Sequence, residues 1–126
     1  MRTKDELFRE ALRHIAARRQ QAVTAAARDR AAALAAHPEL RAAEDARTHA
    51  GLTLTLAAAR GADQTAAAAA LKTADERLTA AYATLGLGPE GFVPRYTCPT
   101  CKDTGMVNGR PCSCVAEAAR TLRREE

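Results

Sequence analysis

The chain has 126 residues, 47% of them hydrophobic but only 3% aromatic, with no tryptophan and 32 alanines. Helices of this composition approach closely over alanine methyls with few large anchors, which excludes a thick core and keeps stability per residue modest. The formal charge is +4, and the excess sits on the first third of the chain: residues 1–36 carry eight Lys/Arg against four Asp/Glu. No apolar run approaches the ~20 residues of a membrane span. The start, MRTKDELFREAL, has no apolar stretch of a secretory signal. A cytoplasmic protein with no membrane partner is expected.

In chain order, Thr3-Lys4-Asp5-Glu6 reads as a capping box, after which neither glycine nor proline occurs up to Ala36. Phe8, Leu12, Ile15, Ala22, Ala26, Ala33 and Leu34 recur at helical steps and predict one long helix. Leu7, Phe8 and Leu12, near its start, are expected to offer a partner surface. His37-Pro38-Glu39 breaks that helix and opens a second one, since proline suits a first helical turn and an acid the positive end of the dipole. The second helix runs to about Arg60, with Leu40, Ala43, Arg47, Ala50, Leu54 and Ala57 on one stripe, and Gly61 ends it.

Asp63 is expected to cap a third helix through Leu85, with Ala67, Leu71, Ala74, Leu78, Ala81, Tyr82 and Leu85 as its apolar stripe. Gly86-Leu87 then reads as a glycine stop with a hydrophobic contact. Two prolines and two glycines within residues 88–94 mark a boundary, where Phe92, Val93 and Tyr96 are expected to pin the cysteine-bearing segment against the helices. The histidines, His14, His37 and His49, fall on predicted helices and are not spaced as ligands.

All four cysteines lie within seventeen residues: Cys98-Pro99-Thr100-Cys101, ten residues, then Cys112-Ser113-Cys114. Two close pairs across a short spacer suit a tetrahedral Zn²⁺ site, each pair giving two thiolates from one turn of backbone. Asn108-Gly109 in the spacer predicts a tight hairpin that returns the second pair to the first. Gly105 lets the backbone turn under the metal, and an extended Cys112–Cys114 would put both thiols on one face. A short helix from Val115 to about Arg124 comes next. Cys98, Cys101, Cys112 and Cys114 are thus the expected ligands of one structural Zn²⁺. Four thiolates leave no open position for water, and with the ion they contribute −2, which lowers the net charge to about +2. A disulfide framework or a thioredoxin-like pair fits less well, for want of a signal sequence and of a βαβ context.

The expected fold is therefore mainly α: an antiparallel three-helix bundle or coiled-coil hairpin, then a four-cysteine zinc knuckle with a β-hairpin and a short terminal helix. Residues 1–87 form the helical part, 88–97 a linker, and 98–126 the zinc segment with its helix. No small-molecule substrate is indicated. The sequence holds no GxxxxGK[ST] phosphate loop and no recognisable nucleophile–base pair, so no enzymatic activity is expected.

The segment PRYTCPTCKDTGMVNGRPCSC, Pro94 to Cys114, resembles the zinc segment of DnaC/DnaI-type helicase loaders and their IstB-like relatives. In that family a helical region and a cysteine segment of this form precede an AAA+ ATPase module. The resemblance implies docking on the replicative DNA helicase, and it carries Cys98, Cys101, Cys112 and Cys114 over as zinc ligands. It covers about twenty-one residues and leaves the ATPase module unmatched, so the chain is either the N-terminal portion of a loader or a relative without ATPase activity. Two alternatives stand beside it. One is a nucleic-acid-binding zinc module, with weak contact along the basic first helix. The other is a DnaJ-like cysteine-rich chaperone fragment, since CPTCKDTG is similar to one CxxCxGxG repeat.

Overall fold

A computed structural model describes residues Met1–Glu126. Four helices and one hairpin occur in order: α1 (Lys4–Ala36), α2 (Pro38–Ala59), α3 (Thr65–Thr84), β1 (Met106–Val107), β2 (Arg110–Pro111) and α4 (Ser113–Arg124). The mainly helical class expected from the sequence is what the chain adopts. Thr3 opens α1 by accepting the Glu6 amide on its hydroxyl at 3.1 Å. No helix is long and apolar enough to cross a membrane.

The chain divides into two compact units, Met1–Ala27 with Pro94–Glu126, and Arg28–Val93. This division differs from the expected segments 1–87, 88–97 and 98–126. The reason is the first half of α1, whose buried side chains Leu7, Ala11 and Ile15 cluster with Val115 and Leu122 of α4. The expected stripe holds at Ile15 and Leu34, with Leu12 half-buried, and departs only at its start, where Leu7 and Ala11 are buried in place of Phe8. Leu7 is core, Leu12 packs beside it, and of the three residues expected at an exposed start only Phe8 lies open, at 37% exposure. Arg2 closes this unit by pairing with Glu10 and, at 2.9 Å, with Glu126.

In the second unit, α2 and α3 form the antiparallel hairpin that their short connection predicts. Arg47 bonds Asp75 at 2.9 Å, and the Tyr82 hydroxyl donates to Glu44 at 3.0 Å, which fixes the register. The expected stripes hold: Leu40, Ala43 and Ala50 are buried on α2, Ala74 and Tyr82 on α3. Leu34, from the last turns of α1, joins Leu40 and Tyr82 in the core, and Leu78, Leu85, Leu87 and Phe92 pack around them. Both helices end in the same hydrogen-bonded motif. The amides of Gly86 and Leu87 reach back to Ala83 and Tyr82, and those of Gly61 and Ala62 to Ala58 and Ala57. Asp63 is not the cap expected of it: Gln64 takes the N-cap position without a side-chain bond, and Asp63, one residue earlier, accepts the amide and hydroxyl of Thr65 at 3.0 and 2.8 Å.

The three residues expected to pin the cysteine segment separate instead. Phe92 meets Tyr82 edge-on, with ring centroids 6.2 Å apart, and so belongs to the helical hairpin. Tyr96 lies under the Arg19 guanidinium at 4.9 Å in the first unit, while Val93 is left 52% exposed. Tyr96 thus sits against a cation, and Phe92 against an apolar cluster.

Candidate metal centre

The cysteine segment builds its site from three local devices. The first is the turn after Cys98, where the Lys102 amide donates to the Cys98 carbonyl at 2.9 Å and the Thr104 amide to that of Cys101 at 3.1 Å. Lys102 and Asp103 both take left-handed backbone conformations here, with φ 54° and 57°. Two such residues in succession cost about 1–2 kcal/mol each, least for aspartate. The second device is the hairpin. Asn108 and Gly109 supply the two positive φ values, 51° and 77°, of a two-residue turn, and Val107 pairs with Arg110 across it.

The third device departs from expectation. Cys112 and Cys114 do not share one face of an extended segment. Cys112 is the last extended residue, the N-cap of α4, and Cys114 lies inside the helix's first turn. The Val115 amide closes that turn on the Cys112 carbonyl at 3.0 Å. The reversal from strand to helix does what alternation was expected to do, and it places two sulfurs at a helix N-terminus, where the dipole favours anions.

Gly105 joins the two halves. Its carbonyl accepts the Cys112 amide at 2.8 Å, and its own amide approaches Cys101 Sγ at 3.4 Å. Its φ is +77°, and a Cβ there would meet Leu12 Cδ2 at 3.0 Å. A side chain at this position is therefore strained by the backbone conformation and would also require Leu12 to shift.

These devices bring the four sulfurs together. All lie within 4.8 Å of one another, with Cys98 to Cys112 at 3.8 Å and Cys101 to Cys114 at 3.5 Å. A tetrahedron with metal–sulfur bonds of about 2.3 Å has edges of about 3.8 Å, so the donor set fits a four-coordinate ion. All four expected ligands are in the cluster, and no histidine or carboxylate belongs to it. His14 and His37 face Glu10 and Glu39 instead. Cys101 and Cys112 are buried, Cys98 and Cys114 half-buried. Burial opposes ionisation of Cys101, but the Gly105 amide and the neighbouring thiols outweigh it and lower its pKa to about 6. For Cys114 burial and the hydrogen bond to Cys101 act together and push the thiol up. A metal bound here would displace the Cys114 proton to solvent.

Asp103 is the residue that sequence reasoning missed. Its side chain is fully buried, and one oxygen accepts the Thr97 amide at 2.8 Å while the other takes the Cys98 amide and Arg18 Nε, both at 2.9 Å. Burial raises its pKa, but the two amides and the guanidinium prevail and hold the carboxyl below the usual range. Asp103 thereby sets the backbone entering Cys98 and anchors the knuckle to α1. The only local signal was an aspartate two residues past a CxxC pair; Arg18, 85 positions away, gave none. Arg18 also lines a small cavity with Cys98 and Cys114, and its Nη2 is buried without a hydrogen-bond partner.

No known protein family, curated protein or solved structure matches the chain. The centre must be read from its own geometry.

Proposed function

We propose that the four cysteines hold one structural Zn²⁺ and that the chain is a non-enzymatic docking module of the helicase-loader type. The observation that carries the metal reading is the mutual placement of the four sulfurs within 4.8 Å. Soft thiolate ligands in a closed tetrahedron suit Zn²⁺ and offer no position for a substrate or a reactive water. The ion then acts on structure: it fixes the knuckle, the hairpin and the first turn of α4 as one piece, and α4 is half of the core built on Leu7, Ala11 and Ile15.

Docking is the role this arrangement leaves available. The metal is consumed in holding a surface, the sequence lacks a phosphate loop, and Phe8 stands half-exposed beside the structure that the metal organises. The loader identity rests on the resemblance of Pro94–Cys114, and the replicative DNA helicase is the partner it implies. The test is co-purification of the tagged, zinc-loaded chain with the replicative helicase of its source, washed at moderate salt. Recovery of the helicase, lost on Cys98→Ser, is the expected outcome. Failure to recover it, with oligonucleotide binding that falls steeply with salt, would replace docking by nucleic-acid recognition.

A further inference from the structure

A groove of about 760 Å³ runs along the first unit between the start of α1 and the outer face of α4. Its floor is apolar, built from Leu7 and Phe8 of α1 and from Ala116 and Ala119 of α4. Its rim is basic: Lys4, Arg120, Arg123 and Arg124 line it, against Asp5 as the one acid. We propose that this groove binds an acidic amphipathic helix of a partner protein, about two turns long. Two apolar side chains three or four residues apart would lie over Phe8, and carboxylates on either side would meet the rim.

Three observations favour that occupant. On α4, Ala116, Ala119, Arg120 and Arg123 fall at helical steps of three and four, so they present one continuous face about 10 Å long. The two alanines of this face leave room for a second helix between its arginines, as in helix-in-groove recognition. The rim cations are also poorly paired within the chain. Lys4 and Arg120 take part in no ion pair, Arg124 reaches only the Thr121 hydroxyl at 3.5 Å, and Arg123 alone meets a carboxylate, that of Glu126 at 3.3 Å. Finally, Arg123 and Arg124 complement the dipole at the end of α4, but Lys4 sits at the first residue of α1, where the dipole disfavours a cation. Asp5 and Glu6 share that first turn but Lys4 pairs with neither, which leaves its ammonium open to a carboxylate from outside. A nucleic-acid strand would satisfy the same cations but leave the alanine floor uncovered, with a single aromatic ring for its bases.

This inference rests on the docking reading and names the partner's chemistry. Its test is selection of random 16-residue peptides displayed on phage against the full, metal-loaded chain, followed by fluorescence anisotropy with the most enriched peptide. Enriched sequences should carry net negative charge with apolar residues three or four apart. Their affinity should fall at least tenfold on Arg120→Glu and on Phe8→Ala, both exposed positions, with unchanged circular dichroism and metal content. Neutral or basic enriched sequences, or binding indifferent to both substitutions, would overturn the groove. So would a labelled oligonucleotide that binds in an Arg120-dependent way and displaces the peptide. Helicase capture tells the two readings apart. Capture unaffected by Arg120→Glu and Phe8→Ala keeps the loader and removes the groove. Acidic peptides bound as described, with no helicase captured, keep the groove and remove the loader.

Discussion

The two units draw on one alanine-rich sequence and reach order by different means. Arg28–Val93 is held by side-chain packing: Leu34, Leu40 and Tyr82 form its centre, and surface-side polar bonds of Glu44 with Tyr82 and Arg30 and of Arg47 with Asp75 set its register. The other unit, Met1–Ala27 with Pro94–Glu126, has a core of five buried residues, one of them alanine. Around that core it places four thiols and a buried carboxylate, groups that cost free energy to desolvate unless they are bound. The contrast teaches where small hydrophobic content suffices. Two helices facing each other can be joined by alanines and a few leucines, but a knuckle with consecutive left-handed residues needs chemical bonds.

The largest expected effect breaks one side of this comparison. Cys112→Ser, or removal of the metal by a strong chelator, should unfold the hairpin and α4, because metal affinity in such sites is folding free energy, about 10–16 kcal/mol in zinc-finger peptides. Hydrogen exchange should show Val115–Leu122 losing all protection, while Leu40–Ala50 and Ala74–Tyr82 keep theirs. Equal loss in both sets would show that the units share one source of stability.

Next come the cores. Ile15→Ala and Leu40→Ala each empty a side chain that is 1% exposed, and each should cost about 2–5 kcal/mol. In metal-loaded protein Ile15→Ala should raise opening mainly at α4, and Leu40→Ala mainly at α3, again by hydrogen exchange. Asp103→Ala should cost about 2–4 kcal/mol, since it strands two amides and a guanidinium. Its pH signature has a definite sign. The folded carboxyl titrates below its unfolded value of about 3.9, so its contribution is present above that pH and lost as pH falls through the folded pKa. The acid limb of a stability profile should therefore shift in Asp103→Ala, measured by denaturant titration at fixed metal load.

The smallest effect is Tyr82→Phe, about 1 kcal/mol for a hydrogen bond to a half-buried carboxylate. Burial, then the bond to Glu44, raises the phenol's pKa above 10. The folded state thus holds that proton more tightly. Its contribution is full below pH ~10 and is lost as pH rises through the folded value. Alkaline melting that is the same in Tyr82→Phe and the parent would remove this contribution from the account.

Much of this organisation was legible beforehand, and the rest was hidden for physical reasons. The limits of α1 and α2, the Asn108-Gly109 turn and the clustering of the four cysteines rest on local rules and came out as read, whereas α3 is capped at Gln64 and α4 begins at Ser113 rather than Val115. The first turn of α1 did not, although Ile15 and Leu34 are buried as expected: Leu7 and Phe8 compete for the core there, and contacts with Val115 and Leu122 decide in favour of Leu7. The placement of Cys112 and Cys114 was hidden by a change from strand to helix between them. The partnership of Arg18 with Asp103 spans 85 positions, and only the folded chain brings the two together.

The central claim is that four sulfurs close around one ion. X-ray absorption at the metal edge, with metal analysis of protein purified without added zinc, tests it most directly. The account predicts one zinc per chain and four sulfur neighbours at about 2.3 Å. Nitrogen or oxygen bound directly to the metal, or a metal-free chain in which Val115–Leu122 stays protected, would contradict it.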